Sequence, residues 1–76
     1  MATRAYVFIE TEVGKTKDVV SALRNLEGMK SVDLVTGPYD IIAVMQGKTS
    51  DSIGRLVTSK VHHIAGVSRT LICLVY

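Results

Sequence analysis

From Ala5 to Glu12 the chain is rich in Tyr, Val, Phe and Ile and stops at Gly14, the composition of a β-strand. From Thr16 the spacing changes. Val19, Val20, Leu23 and Leu26 fall at i, i+1, i+4 and i+7, the apolar stripe of an amphipathic helix. Asp18 near its start suits the positive end of the helix dipole, and Gly28 lies just past its end. Val32 to Thr36 returns to alternation, Gly37-Pro38-Tyr39-Asp40 interrupts it, and Ile41 to Met45 is a short apolar run closing at Gly47. This predicts a hairpin of strands two and three around a Gly-Pro turn. Ile53, Leu56, Val57, Val61 and Ile64 then predict a second helix, capped by Thr49, Ser50 or Asp51 and stopped by Gly66. Val67 to Tyr76 is the fourth strand.

The order βαββαβ, with two right-handed crossovers, predicts an α+β fold of the ferredoxin-like kind: a four-stranded antiparallel sheet with both helices on one face. An internal echo agrees. Gly14-Lys15-Thr16-Lys17-Asp18 recurs as Gly47-Lys48-Thr49-Ser50-Asp51, each copy leading from a strand into a helix, and Leu23 matches Leu56 at the same offset.

Counting faces changes the picture. On strand four Val67, Leu71, Cys73 and Val75 share one side, while Ile72, Leu74 and Tyr76 share the other; on strand three Ile41, Ala43 and Met45 oppose Ile42 and Val44. Both sides are apolar, yet two helices cover only one. An antiparallel sheet with a wet second face carries polar residues there. The expectation is a homodimer, a dimeric α+β barrel in which a second copy covers the open face; parity alone does not say which face that is.

Length and composition fit this reading. The chain has 76 residues, 47% of them hydrophobic, and a mean hydropathy of +0.30. That is one domain, residues 1–76, and it excludes a disordered or low-complexity segment. A single cysteine, Cys73, excludes an intramolecular disulfide and a cysteine-based zinc site; mid-strand among apolar residues, it reads as a buried small hydrophobe. The net charge of +2 is scattered from Arg4 to Arg69, without the basic stripe of a nucleic-acid binder. The apolar run Ala5–Ile9 is too short for a signal peptide or a membrane span. A cytoplasmic protein with no membrane partner is expected.

The candidate chemistry is thin. Gly-Lys-Thr occurs twice, but the additional glycine that a phosphate-binding loop needs is replaced by Ile9 and Ile42. His62 and His63 are adjacent on a helix and point about 100° apart, so no metal site is expected. Glu10 and Glu12 share a strand face and read as solubilising residues. Tyr39 to Met45 lacks the aromatic and basic pattern of RNA-recognition modules. No catalytic residues and no cofactor are assigned.

One stretch is distinctive: Ser31-Val32-Asp33-Leu34-Val35-Thr36-Gly37-Pro38-Tyr39-Asp40-Ile41-Ile42-Ala43-Val44, followed later by Ile64-Ala65-Gly66-Val67-Ser68-Arg69-Thr70-Leu71. It resembles the effector-binding domain of the Lrp/AsnC feast/famine regulators, whose pattern runs V-x-x-V-T-G-x-Y-D and then I-x-G-V-x-R-T. The resemblance covers essentially the whole chain and implies a stand-alone domain, called a RAM domain, without the helix-turn-helix DNA-binding domain. It further implies sheet-to-sheet homodimers, assembly into rings, and an amino acid or related metabolite bound between dimers. By position the ligand-binding residues are Thr36, Gly37, Tyr39 and Asp40, with Ser68 and Thr70. Ile72 stands where the family often has a second threonine, which removes a hydroxyl. The resemblance thus implies a non-enzymatic, amino-acid-sensing regulator with no direct nucleic-acid contact. Its alternatives are a structural partner of a full-length Lrp/AsnC regulator and a small dimeric α+β-barrel enzyme such as a monooxygenase.

Overall fold

The computed structural model describes residues 2–75. The elements follow in the order β1 (Thr3–Thr11), α1 (Thr16–Arg24), β2 (Met29–Leu34), β3 (Ile41–Gly47), α2 (Ser50–Leu56), a π-helical turn (Val57–Val61) and β4 (Val67–Leu74). The sheet runs β2-β3-β1-β4 with every neighbouring pair antiparallel, which is the ferredoxin-like arrangement. Tyr76, expected in the fourth strand, lies outside the described residues.

Register decides which residues share a face. Ala5, Val7 and Ile9 on β1 stand opposite Met45, Ala43 and Ile41 on β3, and all six are fully buried. Val19, Val20 and Leu23 of α1 cover this face together with Ile53 of α2 and Val57 and Val61 of the π turn. Each such large aliphatic side chain contributes about 1.5–3 kcal/mol on burial, so this one layer between helices and sheet is the core.

The second helix departs from the regular helix that its spacing predicts. Ile53, Val57 and Val61 are four apart, and in an ideal α-helix such positions drift about 40° per step. The chain widens into the π turn instead, marked by the bond from the His62 amide to the Val57 carbonyl at 2.8 Å. The wider turn keeps Val57 and Val61 both on the sheet. Thr49 caps α2: its hydroxyl accepts from the Ser52 amide, and the Ser52 hydroxyl accepts from the Thr49 amide in return.

Gly28 makes the link from α1 to β2 possible. Its φ is +87°, and a Cβ there would stand 2.8 Å from the Gln46 carbonyl oxygen. That close approach lets the Gln46 amide donate to the Gly28 carbonyl at 2.8 Å, joining the turn to the end of β3.

The face away from the helices carries Tyr6 and Phe8 from β1, Ile42 and Val44 from β3, and Leu71 and Cys73 from β4. Tyr6 is 43% and Leu71 47% exposed. Parity is therefore settled: Leu71 and Cys73 lie on the open face, and Ile72 packs against the core. Cys73 departs from its expected burial. It stands opposite Tyr6 in the register, which puts its thiol on the open face, exposed.

Candidate functional site

The loop between β2 and β3 is fixed from both ends. The Val35 amide donates to the Asp40 carbonyl at 2.9 Å, and the Asp40 amide donates to the Ile9 carbonyl at 3.0 Å. Asp40 Oδ2 accepts the Thr11 amide at 2.8 Å and the Thr11 hydroxyl at 3.2 Å. With the Thr11 proton engaged, the Thr16 hydroxyl donates to Thr11 Oγ1 at 2.7 Å. One chain of polar contacts thus runs from the hairpin through the end of β1 to the first residue of α1. Thr16, the counterpart of Thr49 in the internal echo, serves this chain rather than a helix cap; Lys15, at the cap position of α1, makes no side-chain capping bond.

Gly37 gives the loop its shape, with φ at +149°, a conformation that residues with side chains rarely adopt. Pro38 follows and restricts the turn further. On the open-face side the loop walls a groove of about 600 Å³, floored by Phe8, Ile42, Leu71 and Cys73 and bounded by residues 35–39. On the other side Leu34, Val35 and Thr36 line a second hollow, also about 600 Å³, in which Leu34 is 54% exposed.

Tyr39 ends the first groove. Its ring lies 5.6 Å from that of Phe8, tilted by 51°, within the range of favourable aromatic pairs. The Arg69 guanidinium sits 5.5 Å from the ring centroid, and its Nη2 donates to the Tyr39 hydroxyl at 2.8 Å. That hydrogen bond first, then the electrostatic pull of Tyr39 and of Glu10, holds the Arg69 guanidinium above its ordinary pKa. Glu10 is its register partner across β1 and β4.

The candidate residues separate into two groups. Thr36, Gly37 and Tyr39 line the groove, and Asp40 braces the loop behind them. Ser68 and Thr70 are on β4 outside it: the Ser68 hydroxyl donates to the Glu10 carbonyl at 3.0 Å, and the Thr70 hydroxyl lies 3.4 Å from His62 Nδ1 on the helix side. Phe8, Thr11 and Arg69 belong to the site without having been singled out as candidates. Arg69 stands inside the Gly66–Leu71 motif, and alternation along β4 places it with Leu71 and Cys73, but only the folded loop brings Tyr39 to it. Among the described residues no three His, Cys, Asp or Glu side chains cluster as a metal site, and no helix is long and apolar enough to cross a membrane.

Known proteins share this design. The sequence profile of the Lrp/AsnC ligand binding domain matches residues 4–76. An uncharacterised helix-turn-helix-type transcriptional regulator of Pyrococcus horikoshii is 28% identical over 74 residues, covering 93% of this chain and 49% of the regulator. The chain therefore spans about half the length of the curated relatives it matches. A crystal structure of a Thermus thermophilus protein superposes with a TM-score of 0.92 at 28% identity, covering 97% of this chain and 92% of that one. The Neisseria meningitidis transcriptional regulator solved in complex with L-Met shares the fold, with a TM-score of 0.87 at 13% identity, over 97% of this chain and 49% of its own. With its profile matched from Arg4 onward and its sheet order, hairpin and helices all in place, the chain belongs to the Lrp/AsnC ligand binding domain family.

Proposed function

We propose that the protein is a non-enzymatic, cytoplasmic, oligomeric ligand-binding domain of transcription regulation. It takes an amino acid or a related small metabolite at the β2–β3 hairpin, where one dimer meets another. The observation that carries this reading is the hairpin loop itself, whose shape is fixed by Gly37, Pro38 and the Asp40–Thr11 bonds and which walls a hollow of about 600 Å³ at Leu34, Val35 and Thr36. A loop ordered before binding loses little entropy when a ligand arrives. Thr36 and Tyr39 supply hydroxyls on the loop. The L-Met complex of the Neisseria regulator supports an amino-acid ligand for a domain of this fold.

The open face supports the dimer. Tyr6, Phe8, Ile42, Val44, Leu71 and Cys73 form one contiguous apolar surface, and a second copy laid over it removes that surface from water. The hollow at Leu34, Val35 and Thr36 lies on the other side of the hairpin, where it offers a contact for a further dimer.

A thermal-shift screen of the common amino acids tests the reading. At 100 times its dissociation constant a ligand adds about 2.7 kcal/mol to the folded state, and each kcal/mol moves the melting temperature of a domain this small by roughly 4–8 °C. No shift from any amino acid at millimolar concentration would overturn amino-acid sensing. A second reading, a partner subunit that changes the assembly of a full-length regulator, would then stand. It is favoured by one observation: Asp40 Oδ2 is bonded to Thr11, so the hairpin carboxylate braces the loop.

A further inference from the structure

Resting on the sheet-to-sheet dimer proposed above, we infer that the open face selects a second copy of this chain laid end for end, with Arg4 of each copy opposite the partner's Glu10. The face is arranged about its middle row. The register aligns Val32, Ala43, Val7 and Ile72 across the four strands, and these side chains pack toward the helices. The row on one side presents Ser31, Val44, Tyr6 and Cys73 to the open face. The row on the other side presents Asp33, Ile42, Phe8 and Leu71. Further out along β1, Arg4 stands at one end and Glu10 at the other.

Two sheets stacked face to face by a two-fold axis have that axis in the plane between them, along the strands or across them. An axis across the strands, lying over the middle row, exchanges the two flanking rows. Tyr6 then meets the partner's Phe8, Val44 meets the partner's Ile42, and Cys73 meets the partner's Leu71. At the β2 edge the Ser31 hydroxyl is set to donate to the partner's Asp33. Arg4 meets the partner's Glu10, and symmetry makes the pair twice. Stacked sheets lie about 10 Å apart, a gap that these two long side chains span together. Both are on β1, an inner strand of the sheet, where the usual crossing of about 30° displaces them least.

An axis along the strands matches poorly. It lays β1 over the partner's β3 and β2 over the partner's β4. Arg4 then faces the partner's Gln46 and finds no charge, while Asp33 is set on the partner's Leu71. Desolvating a carboxylate against an apolar side chain costs free energy that the end-for-end arrangement avoids. Arg4 is exposed, and among the described residues it makes no ion pair within 4.0 Å. The face thus carries both halves of its own charge pair, and a partner chain lacking either half loses the match.

Charge reversal tests this. Arg4→Glu sets carboxylate against carboxylate twice across its own dimer, and Glu10→Arg sets cation against cation twice. Each variant should raise its dimer dissociation constant at least about tenfold at about 50 mM salt, measured by light scattering over a dilution series. Mixed in equal amounts, the two variants regain opposite charges at both positions. Native mass spectrometry, which separates them by mass, should then find the mixed dimer well above the one-half share that random exchange gives. Arg4→Gln introduces no like charge and should weaken the dimer about threefold. If Glu10→Arg loses its fold beside Arg69, as circular dichroism would show, Arg4→Gln against wild type decides alone. A mixed dimer at or below the random share, or Arg4→Gln associating as tightly as wild type, overturns the end-for-end pairing and leaves the sheet-to-sheet dimer intact. If wild type is monomeric, both fall together.

Discussion

Asp40 accepts two hydrogen bonds from Thr11, one from its amide at 2.8 Å and one from its hydroxyl at 3.2 Å. The hairpin is thereby tied to the end of β1 and, through the Thr16 hydroxyl, to the start of α1. Thr11→Val keeps the amide bond and removes both hydroxyl contacts, so it should cost about 1–2 kcal/mol. Asp40→Ala removes both acceptor contacts and leaves the half-buried Thr11 amide without its partner. It should cost more, roughly 2–3 kcal/mol. Melting curves followed by circular dichroism rank the two variants. The reverse order would show that the loop is held by something other than this carboxylate.

Two glycines should respond to alanine with opposite signs. At Gly28, φ is +87° and an added Cβ would stand 2.8 Å from the backbone oxygen of Gln46, which cannot swing aside. Gly28→Ala should cost about 1–3 kcal/mol. Gly54 is within α2, and an added Cβ there meets nothing within 4 Å. Gly54→Ala should stabilise by roughly 0.5–1 kcal/mol through helix propensity. Urea denaturation of the pair, compared at the midpoint with unchanged slope, checks both signs.

Thr49→Ala should cost about 1 kcal/mol, because it opens the reciprocal bonds between Thr49 and Ser52 at the start of α2. Thr49→Ser keeps the hydroxyl and should recover most of the loss. If alanine and serine melt alike, the cap contributes nothing measurable to the fold.

The sequence carried the fold because the fold depends on period. Alternation in β1 and β3 and the stripe Val19, Val20, Leu23 are legible without coordinates, and the buried residues are the ones those patterns select. Three features were not legible, each for a physical reason. The π turn arises where spacings of four must be reconciled with a flat sheet, and periodicity of the helical kind does not separate the two geometries. The open face has the same apolar character as the covered one, so parity left Leu71 and Ile72 equivalent until the β1–β4 register placed Ile72 opposite buried Val7. Thr11, Tyr39 and Arg69 are far apart in the chain, and only loop closure joins Tyr39 to Arg69 at 2.8 Å. The motif around Thr36, Gly37, Tyr39 and Asp40 did mark the hairpin in advance, though it could not show that Asp40 faces Thr11.

The equivalence of Leu71 and Ile72 in sequence, and their separation in the fold, supply the sharpest test of the dimer. Leu71 lies on the open face at 47% exposure, whereas Ile72 packs against the core. A charge at Leu71 meets water in the single chain and apolar surface only when a second copy covers it. Leu71→Asp should therefore give a folded monomer, with helix and strand content unchanged. A charge at Ile72 faces the core in any oligomeric state, and burying it unpaired costs several kcal/mol. Ile72→Asp should lose the fold itself. Light scattering after size exclusion at micromolar concentration, with far-ultraviolet circular dichroism on the same samples, separates the two outcomes. Wild type is expected as a dimer or a multiple of one. If Leu71→Asp retains the wild-type mass, the copies do not meet through this face. If wild type itself elutes as a monomer, the six apolar residues of the open face are wet and the case for sheet-to-sheet pairing fails.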